Sequence, residues 1–535
     1  MSCHFFETLQ RDVLDIIIAE VAQGIRGAQF KTFCNMRLVS KAMNELIEPK
    51  AFASTTIDFT RLRTGRQLEC LAQGTGPNAR WTKRLKIDFL FRVASDDSPD
   101  IGRRGQWDLA SQQEQAAQLR EYQNKFLIPA IKTLANVKSV RILFQTFRPN
   151  DEVIRTISQL HKLQELTLVF EPEWESLKPF PDISPLGNLT SLALEGIPSL
   201  SLKSIALVSG LISRSPMLES LTLQGATRDR GTDDLVDLAE LFAGALASPA
   251  FVPRLRKLAL RGRTRRFIAL SPACVPYLGA LINLAIDENQ AIEGETVDES
   301  TFWSALSSVG LRVASLRIYP VTPAVAAYLE SYSGLETLNV SRNIWGNEDN
   351  ISVAGERAMA SLVFHTVLPR HKETLRAFKI CDIRWSQAWT LGRYLDSVVQ
   401  CNELRTLRLL FHYTSDRRSP DIPVYTLISQ VSARLKHLQK LYISLAKYPI
   451  DTHPIDRAPT SMELYGVCED YGVCDTDEDE VYEHASAFEE EVCKIKIHQA
   501  SFEIYVDGAG DGKLIHNPNA GRFVRVACDY DFYGY

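Results

Sequence analysis

The stretch Leu335-Glu336-Thr337-Leu338-Asn339-Val340-Ser341-Arg342-Asn343 reads L-x-x-L-x-L-x-x-N. Along a strand that spacing sends the leucines into a core and the intervening residues to the opposite face, while the final Asn can satisfy backbone groups at the turn. One such unit cannot bury its own apolar row. The pattern therefore requires neighbouring copies stacked beside it.

Copies are abundant. Residues 55–59 and 85–89 alternate as strands, and clearer units follow: VKSVRI at 137–142, LQELTL at 163–168, LTSLAL at 189–194 and LESLTL at 218–223. They continue at 255–260, 281–286, 313–318, 335–340, 375–380, 404–409 and 438–443, with a weaker one at 492–497. Between them the apolar period becomes helical, as in residues 232–246, where Leu235, Leu238, Leu241, Phe242 and Leu246 share a face. Residues 323–332, 353–368, 387–399 and 424–435 read likewise. This is the signature of leucine-rich repeats, and it predicts an α/β solenoid: a curved parallel sheet with helices on its convex side. The first leucines recur at intervals from about 22 to about 40 residues, wider than regular arrays, which implies long helices and inserted loops.

With 535 residues, 45% hydrophobic and 23% charged, the chain has the composition of a globular protein, and its formal net charge of -5 provides no general field for nucleic acid or membranes. The N-terminus lacks the pattern of a secretory signal, and no uncharged run approaches the ~20 apolar residues of a membrane span. Ten cysteines lie scattered without a C-x-x-C pair, as expected of a reducing compartment, cytoplasmic or nuclear.

The first fifty residues differ from the repeats. DVLDIIIAEV at 12–21 forms a helix with two apolar rows, Val13, Ile17 and Val21 on one and Leu14 and Ile18 on the other. Such a helix needs burial on two sides. One side suits a small bundle with Phe30, Phe33, Met36, Leu38 and Val39, which leaves the other for a partner. A further helix over 40–47 places Met43, Leu46 and Ile47 together and is expected to stop before Pro49. The run Leu9-Gln10-Arg11-Asp12-Val13-Leu14, then Met36-Arg37-Leu38-Val39-Ser40-Lys41-Ala42-Met43-Asn44-Glu45-Leu46, with Pro49 and Phe52 following, resembles an F-box, especially those of fungal F-box proteins carrying leucine-rich repeats. The resemblance implies a three-helix domain over 1–53 that docks the Skp-type adaptor of a cullin-RING ubiquitin ligase. The adaptor-facing residues would be Leu9, Val13, Leu14, Ile17, Ile18, Val21, Phe33, Met36 and Val39. Gln10 stands where the family usually has proline, leaving the first loop less fixed in φ. A plain helical cap on the end of the solenoid is the alternative reading.

The repeat domain is expected over 54–445, with a polar insertion near 93–113, and a C-terminal region over 446–535. On the concave face the intervening residues are Arg141, Thr167, Ala193, Thr222, Ala259, Ala285, Arg317, Asn339, Lys379, Arg408 and Tyr442. The basic run RLRKLALRGRTRR at 254–266 is either a solvated strand edge or a pocket for an acidic or phosphorylated segment, with Arg261 and Arg263 as its contacts. Candidate target-binding residues are thus Arg141, Arg261, Arg263, Arg317, Lys379, Arg408 and Tyr442.

Other motifs fail on inspection. Asp475, Asp477 and Asp479 have calcium-loop spacing, but Glu480 occupies the glycine position and Ser486 that of the bidentate Glu, so 468–491 reads as a solvated acidic stretch. In 507–514, Asp507 and Leu514 occupy key P-loop positions, and the alternating flanks favour a hairpin capping the array with residues 523–526. No nucleophile elbow, H-E-x-x-H or metal-spaced His/Cys cluster occurs. The expected protein is a non-catalytic receptor without cofactors, a monomer within a hetero-complex of adaptor, cullin and an unknown protein substrate. A repeat scaffold with no part in ubiquitination is the competing reading.

Overall fold

A strand packed on one side only must alternate buried and exposed residues, and SVRILF at Ser139–Phe144 does so from Val140 onward. In the computed structural model, residues 32–58, 64–88, 117, 120–144, 151–170, 180–197, 202–226, 235–246, 254–262, 264, 268–287, 300–341, 353–381, 389, 394–411, 424–445, 503–507, 512–517 and 522–527 are described. The chain divides into two compact units, Met1–Leu255 and Arg256–Tyr535.

In the first unit the sheet strands are β1 (Ser54–Asp58), β2 (Arg84–Asp88), β3 (Ser139–Phe144), β4 (Glu165–Phe170), β5 (Ser191–Ile197) and β6 (Ser220–Gly225). They lie side by side in chain order, all parallel. The register aligns Leu85, Val140, Leu166, Leu192 and Leu221 in one buried row and Ile87, Ile142, Leu168, Leu194 and Leu223 in another. β1 is less regular, since Thr55 occupies a leucine position. It is buried, and its hydroxyl meets that of Thr82 at 2.7 Å. Phe144 and Phe170 stack at 4.9 Å in the same core.

The second unit contains β7 (Lys257–Gly262), β8 (Asn283–Asp287), β9 (Ser315–Tyr319), β10 (Thr337–Ser341), β11 (Ala377–Cys381), β12 (Thr406–Phe411), β13 (Lys440–Leu445) and β14 (Glu503–Asp507), again parallel and in chain order. β15 (Gly512–Asn517) and β16 (Arg522–Ala527) follow antiparallel. Among the described residues, helical segments join most of the successive parallel strands in both units, so the fold is an α/β repeat array of solenoid type.

One hydrogen-bond device recurs from β1 to β6 and from β7 to β13. The carbonyl of the residue immediately ahead of a strand accepts two N–H groups from the next repeat, one from the residue preceding its strand and one from the strand's first residue. The acceptors are Ala53, Lys83, Lys138, Gln164 and Thr190 in the first unit, and Arg256, Ile282, Ala314, Glu336, Arg376 and Arg405 in the second, all at 2.7 to 3.1 Å. A strand that slipped by one residue would break both bonds and turn its leucines to the wrong face.

The helices depart from the expected bounds for identifiable reasons. The one expected over 40–47 spans Lys41–Ala51 and includes Pro49, with the Phe52 N–H bonding to the Glu48 carbonyl at 3.1 Å. Proline in a last turn forfeits one backbone bond without stopping the chain's helical course. The helix expected over 232–246 begins only at Leu238, where the Asp237 carboxylate accepts from the Ala239 N–H at 2.8 Å, and Leu235 stays outside it, 47% exposed. Of 387–399 only Leu395–Val398 is α-helical among the described residues, though Trp389, in a 3-10 conformation, is fully buried. The helix from Val353 continues to His371 through a wide π turn, Leu362–Val367. A similar turn, Gln123–Leu127, precedes Ile128–Thr133. Both wide turns come just ahead of a proline, Pro129 or Pro369, whose ring would otherwise crowd a carbonyl one turn back. The insertion near 93–113, the acidic stretch 468–491, the weak repeat at 492–497 and Asn343 lie outside the described residues.

In the second unit an aromatic chain links successive helices: Trp303, Tyr328, Tyr332 and His371 follow one another at ring separations of 5.3, 5.3 and 5.2 Å. The two tyrosine hydroxyls donate to the carbonyls of Leu311 and Val313, both at 3.0 Å. His371, 1% exposed, closes the chain. Its Nδ1 accepts from the Leu335 N–H at 3.3 Å while Nε2 meets the Leu329 carbonyl at 3.0 Å. Only the neutral Nε2–H tautomer satisfies both contacts. Burial holds the imidazole pKa at about 4, and the nearby Arg370 charge pushes the same way.

Two outcomes follow. Gly196 has φ +69, and a Cβ there would lie 1.9 Å from the Phe170 carbonyl oxygen. Gly196→Ala should cost about 2 kcal/mol or more in chemical denaturation, whereas Gly279→Ala, with open space around it, should be nearly silent. For His371 the folded pKa lies below the unfolded value of 6.5, so the unfolded chain binds the proton more readily. Stability should be complete above pH 6.5 and fall as the pH drops toward 4, by roughly 2 kcal/mol at pH 5. Unfolding midpoints between pH 7 and 5 should show a shallower slope in His371→Gln.

Candidate functional site

Two surfaces hold the residues singled out from the sequence. The first is the helical segment ahead of β1. Residues 32–36 are helical, and a turn over 37–39 leads into Lys41–Ala51. Ser40 has extended backbone and its Oγ accepts from the Met43 N–H at 3.2 Å, capping that helix. Such a cap contributes about 1 kcal/mol. Phe33, Met43, Ile47 and Ala51 form a local core against which Met36, Leu46 and Phe52 pack.

The L-V-S-K-x-x-N residues have distinct places in this arrangement. Arg37 Nε donates to Asn44 Oδ1 at 3.1 Å, Asn44 Nδ2 donates to Glu48 Oε2 at 3.2 Å, and the Arg37 guanidinium sits 4.9 Å from the centre of the Phe52 ring. The turn is thereby fastened along the helix. Its apex points outward: Leu38 is 80% exposed and Val39 39%. Leu38 and Val39 thus do not fill the bundle as expected, because the turn bonds from Arg37, Leu38 and Val39 back to Phe33, Asn35 and Met36 carry them past the core. Phe33 is buried within the local core, and Met36 is half-buried on it. Leu9, Val13, Leu14, Ile17, Ile18 and Val21 lie outside the described residues. The segment joins the sheet directly, since the Ala53 carbonyl is the first of the shared acceptors.

The second surface is the outward face of the strands. The central outward row of the first unit runs Thr56, Lys86, Arg141, Thr167, Ala193 and Thr222. Its cations are neutralised locally. Lys86 pairs with Asp88 at 3.0 Å, and Arg141 reaches across the small Thr167 to Glu195 at 2.9 Å.

In the second unit the row runs Ala259, Ala285, Arg317, Asn339, Lys379, Arg408, Tyr442 and Tyr505. Arg317 Nε donates to the buried Asp287 carboxylate at 2.8 Å. Asn339 Oδ1 is buried without a hydrogen-bond partner. Arg261 is half-buried, with its carbonyl accepting from the Thr264 hydroxyl, and Arg263 lies outside the described residues. The register therefore brings Arg317, Lys379, Arg408 and Tyr442 into one row, while Arg141 belongs to the other unit and Arg261 stands one outward position further along its strand. Asn339 was legible as a member of this row, but its buried, unpaired oxygen was not.

Among the described residues no group of three or more His, Cys, Asp or Glu could hold a metal ion, and no helix is long and apolar enough to cross a membrane. The buried Cys401 thiol is pushed up to about 12 by burial, which suppresses the reactive thiolate.

No protein-family model and no curated protein matches the chain. Among solved structures, one described as a crystal structure of a Rad7 and Elc1 complex in yeast is similar at 14% identity, covering 82% of this chain and 93% of that one, with a TM-score of 0.36. A likeness at that level carries nothing about partners or activity.

Proposed function

We propose that the chain is the substrate-recognition subunit of a Skp-cullin-F-box type ubiquitin ligase, with its N-terminal segment docking the adaptor and its strand surface holding a protein target. The observation that carries this reading is the F-box-like LVSK-x-x-N segment, folded as a capped helix with an exposed Leu38-Val39 apex and joined without a linker to a repeat sheet. Exposed apolar residues held on a fastened turn suit a partner that buries them. The receptor's contribution would be proximity, raising the effective concentration of target lysines at the transfer module without chemistry of its own. Gln10, in place of the family's proline, favours a second reading, a repeat scaffold outside any ligase.

Co-purification of the full chain with a Skp-type adaptor tests the proposal. Capture is expected, and the double change Leu38→Asp with Val39→Asp should abolish it while leaving the thermal melt unchanged, because both side chains are exposed. Failure of the intact chain to capture the adaptor, or undiminished capture by the double variant, would return the segment to a helical cap. Recovery of weak capture by Gln10→Pro would identify a degenerate F-box.

A further inference from the structure

The turns that lead into β2, β3 and β4 carry a cluster of cations. Arg80 lies in the last turn of the short helix Pro77–Trp81, Lys83 and Arg84 follow it, Lys138 stands just ahead of β3, and Lys162 sits in the turn ahead of β4, all of them exposed. The shared-acceptor bonds set these turns side by side: the Lys138 N–H reaches the Lys83 carbonyl at 2.7 Å and the Gln164 N–H the Lys138 carbonyl at 2.8 Å. Side chains tie the rest together. Lys162 Nζ donates to Asn136 Oδ1 at 2.6 Å, Asn136 Nδ2 donates to the Arg80 carbonyl at 2.9 Å, and the Arg80 guanidinium lies 4.6 Å from the centre of the Trp81 ring. These contacts are all with neutral groups, so they orient Arg80 and Lys162 without compensating their charge. Among the described residues the side chains of Lys83, Arg84 and Lys138 form no hydrogen bond or ion pair, and Glu165, the exposed carboxylate at the head of β4, pairs with none of the five. Elsewhere in this unit Lys86, Arg141 and Arg155 each have a carboxylate, and the turns at 188–190 and 217–219, ahead of β5 and β6, hold no cation.

A cation in the last turn of a helix is favoured by the helix dipole, which accounts for Arg80. That effect fades within the turn, and Lys83, Arg84, Lys138 and Lys162 lie past the helix ends at the strand entries. Like charges held together by backbone bonds repel one another, and an anionic occupant relieves that repulsion. We infer that Arg80, Lys83, Arg84, Lys138 and Lys162 form a docking surface for an acidic protein segment. Two grounds favour a protein over a nucleic acid. The patch adjoins the segment proposed to dock a protein, since the Ala53 carbonyl accepts from the N–H groups of both Lys83 and Arg84 at 2.9 Å and the Thr82 hydroxyl meets the Phe52 carbonyl at 3.5 Å. That ground rests on the reading of residues 32–52 given above; the second does not. The cations occupy three neighbouring strand entries about 4.8 Å apart, a small footprint. A short run of Asp and Glu meets these cations alone, whereas a long phosphate backbone extends into the field of a chain whose net charge is -5.

Fluorescence anisotropy on the full chain tests this with a short labelled peptide rich in Asp and Glu, its Asn and Gln counterpart of equal length, and a single-stranded oligonucleotide. The acidic peptide should bind, more weakly as salt is raised, and the neutral one should not. Lys83→Glu combined with Lys138→Glu should weaken binding about tenfold or more, while Lys83→Arg combined with Lys138→Arg should retain it. Lys203→Glu combined with Lys436→Glu, an equal charge change at exposed positions elsewhere, should leave it unchanged. Melting curves confirm that each variant is folded. No preference for the acidic peptide, insensitivity to the reversal at Lys83 and Lys138, an equal loss on reversal at Lys203 and Lys436, or tighter binding of the oligonucleotide would overturn the inference. Leu38→Ser with Val39→Ser, which removes the apolar apex without adding charge, should leave peptide binding intact, so this claim and the docking role of 32–52 fail separately.

Discussion

In each unit the carbonyl just ahead of a strand accepts two N–H groups from the following repeat, and the geometry of both surfaces depends on that shared acceptor. Two donors on one oxygen set the next strand's start to the residue. With a side-chain period of two, this decides which row is buried and which faces out. Leu338 is fully buried and Asn339 half-exposed because the carbonyl of Ala314 places Glu336 and Thr337. The same bond type starts at Ala53, so the N-terminal helical segment enters the sheet at a defined point. The connections can then vary in length without disturbing the rows, as between Val340 and Ile380, which are register partners despite the long helix between them.

The repeats were legible because each leucine of L-x-x-L-x-L is required by burial at its own position. The rows Leu258 to Leu441 and Leu260 to Ile443 follow directly from that spacing. Helix bounds were less legible, since they depend on caps and on tolerance of proline. Pro49 reads locally as a stop, yet continuing the helix past it brings Ala51 into the core beside Met43 and Ile47 and packs Phe52 against them, and this burial prevails. Leu38 was misplaced for the opposite reason. Its apolar character suggested a core position, whereas three short backbone bonds fix the turn and leave it in solvent.

Charge balance across strands was not legible from any one repeat. Arg141 and Arg317 look alike in sequence, each in the middle of a strand. Their partners, Glu195 and Asp287, lie on other strands, so pairing becomes visible only when the register is known. With both paired, the Lys379 side chain differs from them in having no carboxylate partner among the described residues. His371 is similar: an isolated histidine in sequence, it is a fully engaged neutral group that ties a helix end to Leu335, the first residue of the most regular repeat.

The proposed function places partner docking ahead of β1 and target holding on the strand surface. Hydrogen exchange of the full-length chain with and without a Skp-type adaptor tests it most directly. Slowed exchange is expected within residues 32–52, with amides of β11 to β13 unchanged. Unaltered exchange in 32–52, or slowing centred on β11 to β13, would contradict it.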